Sequence, residues 1–296
     1  MTSHNGLILK GIGGFYYVLL SGDNTVVECK ARGKFRNEAL KPHCGDNVKI
    51  EISENGTTGT ITEIMERKNS FIRPPVANVD VIVIVVSCKN PKPDYAFVDK
   101  MLAVCSVNNV ESVICLTKTD LVSDDEIEEF ESIYKNIGID VIRVCNVSAD
   151  DTGIKKIKLI LGEKTVAFAG FSGVGKSSLF NNVLGIAHME TGEVSKKIGR
   201  GCHTTRHVEL VEYENGYLVD TPGFGSLDLP DIEPEKIKDC FSEFLPYEEN
   251  CKFSDCMHLG TKWCGVYDAV CEGKISENRY NNYKNFYKIL KDKKEW

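Results

Sequence analysis

Gly170-x4-Gly175-Lys176-Ser177 has the residue types and spacing of a phosphate-binding loop. Thr165 to Ala169, just before it, reads as a short buried strand. Ser178 to Leu184, just after it, reads as the first turns of a helix. Strand, glycine loop and helix together are the context the chemistry needs. Glycines let successive backbone N–H groups turn inward onto phosphate oxygens, and the helix start adds a partial positive charge. Across Gly170, Phe171, Ser172, Gly173, Val174, Gly175, Lys176, Ser177 and Ser178, the Lys176 ammonium suits the β/γ-phosphates and the Ser177 hydroxyl suits Mg²⁺.

Two upstream stretches add a base-reading chemistry. Thr117-Lys118-Thr119-Asp120 follows the apolar end Cys115-Leu116 and matches [N/T]-K-x-D. A carboxylate at Asp120 accepts from N1–H and the 2-amino group of guanine; adenine has neither donor. Lys118 would lay its stem along the base. Ser148-Ala149 follows the strand ending at Cys145 and could offer an N–H to guanine O6. A polar turn is the alternative for either stretch alone, but each occupies its own slot before the phosphate loop. Downstream, Asp220 ends the apolar Tyr217-Leu218-Val219 and would hold the Mg²⁺ shell, while Gly223 could turn its N–H to a γ-phosphate. Thr204 or Thr205, in Gly-Cys-His-Thr-Thr-Arg206, could reach the metal. The substrate implied is GTP, hydrolysed to GDP. Phe224 stands where a glutamine would orient the water, so intrinsic hydrolysis should be slow and accelerated by a partner; His203 or His207 could substitute.

Cys251-x4-Cys256-x-His258-x5-Cys264 brings three thiolates and an imidazole into fourteen residues. That ligand set predicts one closed, structural zinc site that keeps no position for water.

The elements that must position these groups follow from the pattern of the chain. Residues 1–70 hold five short β-rich runs separated by turn residues, which predict a small barrel or sandwich. Lys30, Arg32, Lys34 and Arg36 alternate there; in an extended segment they would form a basic stripe for a nucleic-acid backbone, with a solvated strand face as the alternative. Pro74-Pro75 then suggests a boundary, giving units of 1–72, 73–230 and 231–296. From Asp80, apolar runs alternate with helical ones, the pattern of a doubly wound α/β sheet with ligands at the carboxyl strand ends. The base-reading motif precedes the phosphate loop, the reverse of the ordinary GTPase order, so the domain reads as circularly permuted. The segment after Asp220 then runs straight into the C-terminal region, which nucleotide state should therefore move. Glu277 to Glu295 reads as a basic helix whose aromatics pack.

Bulk composition limits the alternatives. The 296 residues, 42% hydrophobic and 27% charged, allow two or three domains. No apolar run is long enough to span a bilayer and the start lacks a signal-peptide pattern, so a cytoplasmic protein with no membrane partner is expected. Twelve cysteines there are thiols or metal ligands. The net charge of −7 is uneven: residues 1–70 carry nine Lys/Arg against eight Asp/Glu, and 274–296 carry seven against three. That distribution is compatible with an RNA partner.

These motifs together resemble the RsgA (YjeQ/YloQ) family of circularly permuted GTPases. The likeness runs from Cys29-Lys-Ala-Arg-Gly-Lys-Phe-Arg36 through the permuted motifs to the Cys-Cys-His-Cys cluster. It departs at Cys202, where a more basic pattern is expected. The resemblance implies an N-terminal OB-like barrel, a permuted phosphate-loop GTPase domain and a zinc-binding helical C-terminal domain. It also implies a GTPase in late maturation of the small (30S) ribosomal subunit, stimulated by that subunit, with the barrel and zinc regions on rRNA; a monomer is expected. A GTP-gated RNA-binding module with incidental hydrolysis, or a zinc-handling GTPase, are the rival expectations.

Overall fold

The computed structural model describes residues 2–33, 35, 40–53, 57–145, 152–185, 208–221, 224 and 227–294. Its N-terminal part is built from β1 (Thr2–Ile12), β2 (Phe15–Leu20), β3 (Val26–Ala31), β4 (Asn47–Ile52) and β5 (Thr58–Ile64). These pair in the order β1-β2-β3-β5-β4, and β4 pairs back onto β1 from Thr2↔Ile52 to Leu7↔Asn47. That last ladder closes a five-stranded barrel of OB type and leaves no free edge. Ile8, Val18, Val27, Val48, Ile50 and Ile61 fill it, each at most 3% exposed.

The expected basic stripe falls only in part on the described residues. Strand β3 stops at Ala31, Gly33 lies in a turn, and Phe35 is helical and buried in the barrel core. Lys34 and Arg36 lie outside the described residues. Lys30 and Arg32 do face one side, lining a cavity of about 500 Å³ with Phe15 and Tyr16.

A short ribbon follows: β6 (Ser70–Ile72) and β7 (Pro75–Ala77). It turns at Arg73-Pro74, beside the boundary expected near residue 72. Arg67 fastens it to the barrel with a bidentate pair to Asp46 (2.7 and 2.8 Å), a carboxylate that is fully buried.

The second region alternates strands and helices: β8 (Val81–Ser87), α1 (Tyr95–Val107), β9 (Glu111–Thr117), α2 (Asp124–Lys135), β10 (Val141–Val144), α3 (Thr152–Leu161), β11 (Thr165–Ala169) and α4 (Lys176–Leu184). A hairpin, β12 (Glu209–Tyr213) and β13 (Gly216–Asp220), completes it. Strands β10, β9, β8, β11 and β13 are neighbours in that order, and each adjacent pair is parallel. Every residue of β8 is buried, as a strand covered on both faces requires. Caps fix the helix starts. Asp94 accepts from the Phe97 N–H at 2.9 Å, and Ser123 with Glu126 forms a capping box. The β12 strand, not anticipated from the sequence, runs antiparallel to β13 and touches β1 at Lys10↔Glu209, so barrel and α/β sheet become one continuous sheet.

The C-terminal region packs 3-10 turns (Pro234–Cys240, Ser242–Phe244), α5 (Gly265–Cys271) and α6 (Glu277–Lys294). Its core is aromatic: Phe241, Phe244, Tyr280, Tyr283 and Phe286 are buried together. The α6 aromatics therefore pack, as their spacing indicates. Arg279 of α6 is 2% exposed and reaches Asp99 of α1 (2.5 Å) and Glu243 (2.5 Å). Asn282 donates to the other Asp99 oxygen at 2.6 Å. No helix among the described residues is long and apolar enough to cross a membrane.

Candidate functional site

Parallel strands point their carboxyl ends the same way, so the loops after β8, β9, β11 and β13 gather at one edge. The loop after β11 turns through Gly173 (φ +82°) and Gly175 (φ +100°), values that favour glycine, and opens directly into α4 at Lys176. At Gly170 a Cβ would sit 2.5 Å from the Val85 carbonyl oxygen, so the chain passes there only without a side chain. The Lys176 ammonium donates to the carbonyls of Gly170 (2.7 Å) and Phe171 (2.6 Å). It lies across the mouth of the loop, and burial lowers its pKa from the ordinary lysine value. Ser177 and Ser178 are half-buried in the first turn of α4, while Phe171, Ser172 and Gly173 are exposed. The Phe171 ring packs on Phe97 of α1, centroids 4.4 Å apart.

The loop after β9 lies against this one. Thr117 is fully buried, and its hydroxyl donates to the Val174 carbonyl at 2.5 Å. Lys118 adopts a left-handed backbone (φ +56°), which swings its side chain across to the carbonyl of Gly173 at 2.8 Å and to that of Asn90. Thr119 and Asp120 then form a 3-10 turn with the Asp120 carboxylate exposed. Cys145, at the end of β10, donates its thiol to Asp120 at 3.6 Å, so the loop after β10 starts beside that carboxylate. Ser148 and Ala149 lie outside the described residues, as do Cys202, His203, Thr204, Thr205, His207 and Gly223.

Asp220 closes β13, next to β11, and is 6% exposed. Ser177, in the first turn of α4, and Asp220, at the end of β13, offer a hydroxyl and a carboxylate, hard oxygen donors of the kind Mg²⁺ takes. Phe224 is buried (1% exposed) with its ring edge-on to Phe71 at 5.5 Å. It belongs to the core between ribbon and sheet, so the residue after the Asp-Thr-Pro-Gly motif serves packing. Sequence reasoning missed Asn90. The Asn-Pro step in Lys-Asn-Pro-Lys-Pro, a turn signal, was available in the sequence, and the structure gives Asn90 a φ of +51° there.

A second cluster stands in the C-terminal region. The ligand atoms of Cys251, Cys256, His258 and Cys264 all lie within 4.8 Å of one another. The Sγ atoms of Cys251 and Cys264 are 3.6 and 3.5 Å from His258 Nδ1. Bonds of about 2.3 Å to sulfur and about 2.0 Å to nitrogen in a tetrahedral ion give an S···N edge of about 3.5 Å, so the set fits a four-coordinate ion. Behind the ring, His258 Nε2 meets Glu248 Oε1 at 3.1 Å, an outer partner that fixes which nitrogen faces the cluster. Burial lowers the His258 pKa and pushes the Cys264 thiol up to about 12. A neutral imidazole is ready to ligate; the thiol needs a cation to displace its proton. Tyr280 and Tyr283 of α6 donate to the carbonyls of His258 (2.8 Å) and Met257 (2.5 Å).

A phosphate loop and a [N/T]-K-x-D loop at one edge of a parallel sheet, with the second preceding the first in the chain, define a circularly permuted phosphate-loop GTPase. The protein is a hydrolase of that class. The chain belongs to the RsgA GTPase family: the family model for the RsgA GTPase matches residues 64–230, and that for the RsgA N-terminal domain matches residues 5–61. A Clostridium perfringens protein named small ribosomal subunit biogenesis GTPase RsgA is 45% identical over 278 residues, 94% of this chain and 95% of its own. A Clostridium beijerinckii protein of the same name is 43% identical over 295 residues, 99% and 100% of the two chains. The crystal structure of YjeQ from Thermotoga maritima superposes with a TM-score of 0.82 at 34% identity, covering 98% of this chain and 99% of that one. That of YloQ, described as a circularly permuted GTPase, gives 0.79 at 35% identity, covering 99% and 96%.

Proposed function

We propose that this chain hydrolyses GTP to GDP and phosphate as a step in late maturation of the small (30S) ribosomal subunit; its relatives are named for small ribosomal subunit biogenesis. The observation that carries this reading is the clamp of Lys118 on Gly173, which makes the base-reading loop and the phosphate loop one site. The N–H groups from Phe171 to Ser178 receive the phosphates, and Lys176 leaves its two carbonyls to neutralise β/γ-oxygens. Asp120 selects guanine through paired acceptors, with Thr117, Lys118 and Thr119 holding the loop that carries it. Ser148 and Ala149 would supply an N–H to guanine O6. Ser177 and Asp220 would hold Mg²⁺, with Thr204 or Thr205 and the Gly223 N–H joining them around the γ-phosphate. Magnesium, when bound there, spreads the charge of the triphosphate.

The buried Phe224 cannot orient a water. Hydrolysis by the isolated chain is therefore slow and needs the subunit. The Cys251, Cys256, His258 and Cys264 set holds one structural Zn²⁺; four ligands leave no open position. Lys30, Arg32, Lys34 and Arg36 contribute to an rRNA-binding barrel unit over 1–72, ahead of a GTPase unit over 73–230 and a zinc-binding unit over 231–296. The chain works as a cytoplasmic monomer. Turnover of GTP with and without purified small subunits, with ATP as control, tests the reading. Stimulation confined to GTP is expected; equal turnover of ATP, or no response to subunits, would refute it.

A further inference from the structure

A strand-to-helix connection needs only a turn and a cap, and Asp94 already caps α1. The loop before that cap, residues 88–93, does more than join β8 to α1. It is tied to the base-reading loop at three points. The Cys88 N–H donates to the Thr117 carbonyl at 3.0 Å. The Asn90 carbonyl accepts from the Lys118 ammonium, which also donates to Gly173. The Nζ of Lys89 lies 3.5 Å from the carbonyl oxygen of Leu121, in the turn that carries Asp120. The same loop meets the phosphate loop: a Cβ on Gly173 would lie 3.9 Å from Cδ of Pro91. Two features set its course. Asn90 has a left-handed backbone (φ +51°), which asparagine tolerates better than most residues. Ser87, the last residue of β8 and 1% exposed, donates its hydroxyl to the Pro91 carbonyl at 2.6 Å. The Pro91 ring fixes its own φ, so a held Pro91 carbonyl leaves the Asn90 carbonyl, one peptide back, little freedom to turn. A buried hydroxyl thereby places the acceptor for an ammonium that belongs to another loop.

We propose that Ser87 is a positioning residue for guanine-nucleotide binding. It acts through Pro91 and Asn90 on Lys118, and residues 88–93 form a third wall of the site beside the base-reading and phosphate loops. With carbonyls from two loops on its ammonium, the Lys118 stem is held between them as a fixed apolar surface for the face of the base. The base then meets a preformed shelf, and binding has less ordering to do. The shelf serves the base and not the phosphates, so Ser87 supports GTP and GDP alike. The proposal rests on the guanine-nucleotide reading above.

Full-length Ser87→Ala should bind GTP and GDP about 3- to 10-fold more weakly by calorimetry, with the ratio of the two affinities kept. The decisive readout is coupling. In a Lys118→Ala background the same change should cost less than about twofold, because the residue it acts through is gone. A residue that served only the fold would cost as much in either background. Asn90 is exposed, so its variants report even where Ser87→Ala fails to fold. Asn90→Val sets a β-branched residue against φ +51° and should weaken both nucleotides by a similar factor. Asn90→Gly keeps the carbonyl and suits that φ, so it should retain most of the affinity that Asn90→Val loses. An equal loss in both backgrounds, an unequal loss of GTP and GDP, or full affinity in Asn90→Val would each overturn the proposal and leave the GTPase reading standing. A parent chain that takes up neither nucleotide would overturn that reading and the proposal with it.

Discussion

Lys118 donates its ammonium to the main-chain carbonyl of Gly173, 55 residues away, at 2.8 Å. The side chain thus acts on the phosphate loop rather than on solvent, and it joins nucleotide base and nucleotide phosphates mechanically. Its left-handed φ of +56° aims it there. Replacing Lys118 with Ala removes a charge-assisted bond worth about 1.5–3 kcal/mol. GTP and GDP affinity measured by calorimetry should fall about 10- to 100-fold, with secondary structure by circular dichroism unchanged.

Asp120 should be exchangeable in a diagnostic way. An amide in Asp120→Asn offers a donor where the carboxylate accepted two. Affinity for GTP should fall by about tenfold or more, while that for xanthosine triphosphate, which carries a carbonyl at that edge, should rise. Competition binding with both nucleotides reads the swap directly.

Lys176 links activity to pH. Burial lowers its pKa, so in the nucleotide-free protein its charge is held at a cost to stability. The unfolded chain binds the proton more tightly, so stability rises with pH from the folded pKa up to the ordinary value of about 10.4. Lys176→Met should flatten that rise in urea-denaturation midpoints measured across alkaline pH. The same variant should lose GTP turnover, which rests on the ammonium at the β/γ-oxygens.

Arg279 should matter for stability far from the nucleotide. It is 2% exposed and pairs with Asp99, itself 1% exposed. Arg279→Ala leaves that carboxylate buried without its cation, at a cost of about 3–5 kcal/mol. Asp99→Leu combined with Arg279→Met should recover most of the loss. Denaturant midpoints of the three proteins check both statements.

Removal of the metal by a chelator, or Cys256→Ser, should loosen the segment 251–264. Tyr280 and Tyr283 bond to the carbonyls of His258 and Met257, so their near-ultraviolet dichroism should change with it. Limited proteolysis should then cut within the loop, and metal analysis of the intact protein should return one ion per chain.

The local chemistry was legible in the chain itself. The strand before Gly170, the helix after it, the β8 run and the Cys/His spacing are each set by side chains a few residues apart. Period, turn chemistry and caps act over that range. The order of the motifs also showed the permutation, because it is a property of the chain. The five barrel strands could be counted from the same cues, but their closure through β1 and β4 could not.

Relationships between distant residues belonged to the tertiary structure. Arg279 and Asp99 are 180 positions apart, and nothing near either one specifies the other. That β3 ends at Ala31 and Phe35 turns inward to fill the barrel was set by the barrel core and not by the alternating charges. Phe224 became a core residue through Phe71, a partner supplied by a ribbon the sequence did not reveal. The positive φ of Trp263 and the lysine against its ring are likewise set by the folded loop. Short-range pattern settles which element a segment forms, since backbone sterics and side-chain period act locally. Which elements meet, and at what angle a side chain leaves the backbone, follows from the packing of the whole chain.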